Sequence, residues 1–106
     1  MPIASMTIPS GAQVPASGAG VAAGGGLIAA IDSPASLAGT AYDCEYSRDG
    51  GTTWIAIKSE AGVARQLTLA ATAGLTQIDP PIRADLFRLN SDVNETADRT
   101  FYVHVI

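Results

Sequence analysis

The stretch TAYDCEYS at residues 40–47 decides the fold, because its apolar and charged side chains alternate without a break. Tyr42, Cys44 and Tyr46 fall on one side of an extended chain, whereas Asp43 and Glu45 fall on the other. Alternation with a period of two is typical of a β-strand that is buried on one face. We therefore predict a half-buried strand here, and the neighbouring segments are interpreted outward from it.

Short segments on both sides of this stretch have the same character, and none shows helical periodicity. Asp79, Pro80 and Pro81 are predicted to end one of the strands, because proline cannot donate to a ladder. Short strands at regular intervals predict an all-β protein, an antiparallel β-sandwich for which a jelly roll is one arrangement. The predicted strands are residues 54–58, 63–70, 74–78, 84–89 and 100–106, and residues 7–9 and 27–31 are also strand-like.

The first part of the chain differs in composition from the rest. No charged residue occurs from Met1 to Ile31, and all 10 acidic and 6 basic residues lie from Asp32 onward. A segment rich in Ala, Gly and Ser has too few large side chains to form a core alone. We therefore expect residues 1–30 to be an extended, partly strand-forming N-terminal arm, and residues 31–106 to be the sandwich domain.

Charge and cysteine content exclude several classes of protein. The formal net charge is −4 with only six Lys and Arg residues, so no basic patch for nucleic acid is expected. No apolar run is long enough for a membrane span. The single Cys44 argues against a secreted disulfide framework. We expect a protein that is made in the cytoplasm and binds neither nucleic acid nor membrane.

Residues 47–54, SRDGGTTW, match the Asp-box pattern S-x-D-x-G-x-T-W, which sialidases and other β-propellers carry repeatedly. The motif is a device for building a hairpin, because its carboxylate accepts hydrogen bonds from turn amides and its central glycine permits a positive φ. The tryptophan is expected to pack beneath the hairpin. We interpret the site as structural and not catalytic. Its residues are Ser47, Asp49, Gly51, Thr53 and Trp54.

The remaining polar groups point to no reaction. The oxygen-bearing side chains at residues 92, 94, 95 and 98 do not have the spacing of a calcium loop, so a solvated, capped loop is expected. His104 and Cys44 are each the only residue of their type, which argues against a zinc site. Cys44 is expected to be a buried small apolar residue. The sequence therefore predicts no enzyme, no cofactor and no metal.

Three segments carry a resemblance to a known group of proteins. They are TIPSGA at residues 7–12, YSRDGGTTW at 46–54, and FRLNSDVNETADRTF at 87–101. Together they resemble small β-sandwich proteins of tailed phages that recur among head and virion genes. The Ala- and Gly-rich stretch at residues 16–30 departs from that pattern.

The resemblance implies a non-enzymatic virion protein. Small size, acidity and an all-β fold favour a capsid decoration or cement protein, because many weakly bound copies stabilise a shell by avidity. Its partners would be the major capsid protein and copies of itself, with a trimer as one option, on the outer capsid surface. Two alternatives stay open: a receptor- or carbohydrate-binding module on a tail fibre or spike, and a neck or tail structural protein.

Overall fold

The computed structural model describes residues 3–16, 20–24, 26–69 and 72–106, and these residues form nine β-strands. No helix occurs in these ranges, and so none of a length and apolarity that could cross a membrane. The strands are β1 (Ile3–Ile8), β2 (Val21–Ala22), β3 (Leu27–Ser33), β4 (Tyr42–Ser47), β5 (Ile55–Ala56), β6 (Gln66–Leu67), β7 (Gly74–Arg83), β8 (Leu86–Ser91) and β9 (Arg99–Val105).

Most strand pairings are nested about the turn after β4, so that each earlier strand pairs with a later one, as in a long hairpin folded over on itself. β4 pairs with β5 and β6 at its tip, β3 pairs with β7, β2 with β8, and β1 with β9, all antiparallel. Folding over adds two further pairings, β3 with β9 and β4 with β8. The result is sheet A, in the order β1-β9-β3-β7, and sheet B, in the order β2-β8-β4-β5 with β6 also on β4. The predicted all-β sandwich is confirmed, and this strand order is that of a jelly roll.

The core lies between the two sheets and is formed by the inward faces of their strands. On β4, Tyr42 and Cys44 are buried, as the alternation in residues 40–47 predicted. On β9, Phe101 and Val103 are buried while Tyr102 is exposed. The rings of Tyr42 and Phe101 meet edge to face with their centroids 5.7 Å apart, a favoured geometry for an aromatic pair. This contact joins sheet B to sheet A.

The described part of residues 1–30 belongs to the sandwich, which corrects the expected boundary at residue 30. Met6 and Ile8 on β1 and Ile28 on β3 are buried in the core. β3 is an interior strand of sheet A, with β9 on one side and β7 on the other. The segment lacks large side chains, but the hydrogen-bonding positions beside β9 and β8 are filled by its backbone. Local composition could not reveal pairing with strands that lie 64 to 101 residues away.

β7 continues through Asp79, Pro80 and Pro81, where we expected it to end. Two features of the sheet allow this. β7 is an edge strand, and its register against β3 shifts between Ile28 and Ala30, so that residues 78–81 bulge opposite Ala29. Prolines are tolerated at edges and bulges because no ladder donor is required of them there.

Membership of β1 in the core can be tested with Ile8→Ala. We expect this variant to lose about 2–5 kcal/mol of unfolding free energy, because a fully buried aliphatic side chain leaves a cavity. Ser5→Ala, on the exposed side of the same strand, is the matched control and should change the free energy by less than about 0.5 kcal/mol. Urea denaturation measures both, and equal stabilities would show that β1 does not contribute to the core.

Candidate functional site

The five residues of the Asp-box-like motif lie together: Ser47 ends β4, and the other four lie in the loop that joins β4 to β5. Ser47 Oγ donates to Asp49 Oδ1 at 2.7 Å, and it accepts a hydrogen bond from the Gly51 amide at 2.8 Å. Asp49 Oδ1 also accepts from the Thr53 amide at 2.8 Å. Gly51 has a φ of 99°, in the left-handed region that favours glycine. These contacts hold the backbone of the turn in one conformation.

The carboxylate of Asp49 is engaged by the turn itself. The hydrogen bond from the Thr53 amide, followed by the bond from Ser47, lowers the pKa of Asp49 to about 2. A carboxylate with so low a pKa stays ionised near neutral pH and is a weak base. The arrangement is suited to organising a hairpin, and general acid–base chemistry would need a less acidic group.

Trp54 is half-buried rather than enclosed beneath the hairpin. Its Nε1–H donates to the Gly51 carbonyl at 3.0 Å. The guanidinium of Arg88 lies 4.6 Å from the centre of the ring, and a side chain at Gly20 would overlap the ring edge. Arg88 in turn pairs with Glu45 at 2.7 Å. One face of the indole is therefore covered by a cation and is not free to stack against a sugar.

Glu95 corrects the interpretation of residues 92–98 as a solvated loop, because its side chain is buried. Glu95 Oε2 accepts hydrogen bonds from Tyr42 Oη at 2.6 Å and from Ser91 Oγ at 3.2 Å. The amides of Ala38 and Gly39 donate to the two carboxylate oxygens at 3.0 and 3.2 Å. We call this group of residues the Glu95 cluster. In the Glu95 cluster, the buried carboxylate accepts its hydrogen bonds from uncharged donors.

The hydrogen bonds of the Glu95 cluster decide its ionisation. Burial alone would raise the pKa of Glu95, but the bonds from Tyr42, Ala38, Gly39 and Ser91 outweigh it, so the pKa lies below its ordinary value. Burial, followed by the bond to Glu95, raises the pKa of Tyr42 above its usual range. Arg99 Nε lies 3.6 Å from Glu95 Oε1 and adds a favourable charge. The carboxylate is therefore ionised inside the protein at neutral pH.

Asp92 and Asp98, two other oxygen-bearing residues of this loop, accept hydrogen bonds from main-chain amides. Asp92 accepts from the hydroxyl and the amide of Thr40, which lowers its pKa, and Asp98 accepts from the Ser10 amide at 2.9 Å. Within the described ranges, no group of three or more His, Cys, Asp or Glu residues could hold a metal ion. The capped character of the loop is thus seen at Asp92 and Asp98.

The two singular residues, Cys44 and His104, lie in different sheets. Cys44 is buried on β4, as predicted, and burial raises the pKa of its thiol to about 12. The thiol therefore stays protonated at neutral pH and is a poor nucleophile. His104 lies on the outer face of sheet A, opposite Ile3 of β1.

The outer face of sheet A was not identified from the sequence. Across its four strands, Ser5, Tyr102, Asp32 and Leu75 are successive neighbours in register. Leu75 is 51% exposed and Tyr102 48% exposed, and Ile3, at the end of β1, is 58% exposed. The alternation in β9 places Tyr102 outward, but only the pairing of distant strands brings it beside β1 and β3. We call this surface the outer face of sheet A.

The outer face of sheet B is different, because polar side chains bind one another across it. Arg88 and Asn90 of β8 both donate to Glu45 of β4. Gln66 donates to Asp43 at 2.6 Å. Charges that are already paired with neighbours offer little to a partner, so the outer face of sheet A is the better candidate for an interface.

A surface cavity of about 520 Å³ lies between the β5–β6 hairpin and the bulge of β7. It is lined by Ser59, Glu60, Ala61, Arg65, Asp79 and Pro80. Arg65 Nη2 donates to the Pro80 carbonyl at 3.2 Å, so the guanidinium is engaged in holding the hairpin to the bulge. The lining contains no pairing of a nucleophile with a base.

The Glu95 cluster predicts a specific dependence of stability on pH. A carboxyl group whose pKa is lower in the folded state than in the unfolded state stabilises the protein above the unfolded pKa, near 4.3. That stabilisation is lost as the pH falls through the folded pKa. At pH 7 we expect the unfolding free energy of Glu95→Gln to be lower than that of the wild type by about 2 kcal/mol or more. On acidification, the unfolding free energy of Glu95→Gln should fall by less than that of the wild type.

Urea denaturation at several pH values between about 7 and 3 measures this difference. Glu60→Gln, which removes an exposed carboxylate, is the matched control and should follow the wild-type curve. Parallel curves for Glu95→Gln and the wild type would contradict the role of the buried carboxylate.

The position of Trp54 gives a second stability prediction. Since the indole is half-buried, Trp54→Ala should lower the unfolding free energy by about 2 kcal/mol. The loss for a fully buried aromatic side chain is larger, roughly 3–5 kcal/mol. Trp54→Phe keeps a ring beneath Arg88 and should cost less. Thermal or urea unfolding measures both, and an unchanged Trp54→Ala protein would show that the indole contributes nothing to the hairpin.

Comparison with known proteins does not assign the chain to a family. No family model, no curated protein and no solved structure matches it. The jelly-roll strand order, the two hydrogen-bonded clusters and the uneven distribution of charge between the outer faces are therefore the basis for a functional proposal.

Proposed function

We propose that the protein is a non-enzymatic structural component of a tailed-phage particle, and that it decorates the outer surface of the capsid. In this role it binds the major capsid protein and stabilises the shell after synthesis in the host cytoplasm. The observation that carries the proposal is the outer face of sheet A, where Leu75 and Tyr102 are about half exposed on a rigid sheet.

The chemistry of this face supports docking onto another protein. Single exposed apolar side chains are common on protein surfaces, but several of them on one face of a sheet are a feature of protein interaction sites. Ile3, Ser5 and Tyr102 carry no charge. Among the four neighbours in register on this face, Ser5, Tyr102, Asp32 and Leu75, only Asp32 is acidic. Apolar contacts depend little on salt concentration. Many copies that each bind weakly are enough to reinforce a shell.

The residues that resemble phage virion proteins support the same proposal in a different way. Residues 46–54 form the loop stabilised by Asp49, and residues 87–101 contain Glu95 with its cluster. The resemblance thus falls on side chains that build the fold. Jelly rolls are common among viral capsid domains, although a fold by itself does not assign a function.

A carbohydrate- or receptor-binding role is the second candidate, and Tyr102 is the observation in its favour. Its exposed ring lies between Ser5 and Asp32, whose oxygens could bind sugar hydroxyls. Lectin domains also adopt jelly rolls. Trp54 is less suited to bind a sugar, because Arg88 covers one face of its ring.

Co-sedimentation with capsid shells that lack the protein tests the proposal. We expect Leu75→Lys to weaken binding by about tenfold or more, because it places a charge in the docking face. Val63→Lys is the matched control: Val63 is 64% exposed but lies in the β5–β6 hairpin, and its replacement should leave binding unchanged. Binding of the wild type should persist from about 0.05 to 0.5 M salt.

Two results would contradict capsid decoration. One is equal binding of Leu75→Lys and the wild type. The other is a low copy number on intact virions, which would favour a neck or tail position. Glycan binding that is lost in Tyr102→Ala would favour the second candidate, and shell binding would then be absent.

A further inference from the structure

The free edges of the two sheets are not equivalent. Sheet A ends at β1 and β7, and sheet B ends at β2 on one side and at β5 and β6 on the other. β2, β5 and β6 are two residues long, which is too short to template another strand. β7 is long, but it contains Asp79, Pro80, Pro81 and Arg83 and a bulge. Charges, prolines and bulges are the features that protect an edge from pairing with another chain.

β1 has none of these protecting features. Its sequence is IASMTI, with no charge and no proline over six residues. It pairs continuously with β9 on one side, without a shift in register. On its other side, no strand of the described chain is hydrogen-bonded to it. A regular, uncharged edge of this length presents a row of backbone donors and acceptors.

We propose that β1 pairs with β1 of a second copy of this chain, antiparallel and about a two-fold axis. The two copies of sheet A then form one continuous sheet of eight strands. Side chains that lie opposite each other must point to the same face of the sheet. If the two-fold axis passes through Ser5 or through Met6, the side chains that lie opposite each other point to the same face. If the axis passes midway between these residues, the opposed side chains point to different faces, and this register is excluded.

The absence of charge on β1, together with the self-complementarity of an antiparallel strand, favours a second copy as the partner. The chain has a net charge of −4, so two copies repel each other in most orientations. Residues 1–31 carry no charged side chain, and β1 is therefore an edge at which two copies can approach without opposing like charges. An antiparallel strand is also complementary to itself, which is what a two-fold interface requires.

The dimer extends the outer face of sheet A. Ile3 and Tyr102 lie near the paired edge, so the exposed apolar side chains of two copies would form one wider surface. The dimer itself does not rest on the proposed function, because it concerns the isolated protein in solution. Loss of capsid binding with an intact dimer would therefore contradict only the proposed function.

Sedimentation velocity of the full chain over a range of concentrations tests the dimer. We expect the wild type to dimerise and Ser5→Lys to weaken the dimer by about tenfold or more, because two lysines would meet near the axis. Gln77→Lys is the matched control, since Gln77 is exposed on β7 at the opposite edge of the same sheet. It should dimerise like the wild type.

A cross-linking measurement guards against a variant that fails to fold. Ser5→Cys should be joined to its copy by a short bis-maleimide, and Gln77→Cys should not; the buried Cys44 is protected from the reagent. A wild type that stays monomeric or forms a trimer would overturn the proposal. So would a dimer that survives Ser5→Lys or that is cross-linked through Gln77→Cys.

Discussion

The buried carboxylate of Glu95 is the interaction on which the rest of the structure depends. Its side chain binds the β3–β4 loop through Ala38 and Gly39 and binds Tyr42 of β4. Its main chain binds the β1–β2 connection, because its amide donates to the Ala12 carbonyl and its carbonyl accepts from Gly11. One residue thus joins segments that are far apart in the sequence. Gly39 is required there, since any side chain would overlap Ser91 Oγ.

The polar and apolar outer surfaces of the molecule lie on different sheets. The Glu95 cluster holds β4 and the end of β8 in sheet B, whose outer face is covered by the ion pair of Arg88 with Glu45. In sheet A, β1 and β9 form an unbroken ladder, β3 pairs with β9 across a shift in register between Ile28 and Ala30, and all three strands contribute side chains to the shared core. Its outer face carries the exposed apolar side chains of Leu75 and Tyr102.

Local pattern predicted strands from the alternation of their own side chains, and it predicted the tight turn between β4 and β5. The alternation in residues 40–47 predicted the buried face of β4, residues 100–106 were predicted as the strand seen as β9, and the motif at residues 47–54 predicted the hairpin between β4 and β5. The role of β1 could not be found in this way, because its core residues Met6 and Ile8 are paired with a strand at the far end of the chain.

The burial of Glu95 escaped prediction for a related reason. A glutamate among Asp and Asn residues has the composition of a solvated loop, and three of its four hydrogen-bond donors, Ala38, Gly39 and Tyr42, come from a distant part of the sequence. Only the distance between the two loops in the folded chain distinguishes a buried acceptor from an exposed one. The outer face of sheet A likewise depends on which strands become neighbours. The alternation of apolar and polar residues along a strand does not show which other strands will be its neighbours in the sheet.

The nested order of strand pairing has a consequence for how the chain acquires its structure. The innermost pairing joins residues near 45 and 56, whereas the outermost joins Ile3 to His104. Chain entropy makes contacts between distant residues slow to form, so the tip of the hairpin should order early and the pairing of β1 with β9 late. During synthesis on a ribosome, sheet A cannot close until β9 has emerged. Until then β1 has no ladder partner within its own chain, and the molecule is most open to aggregation in that interval.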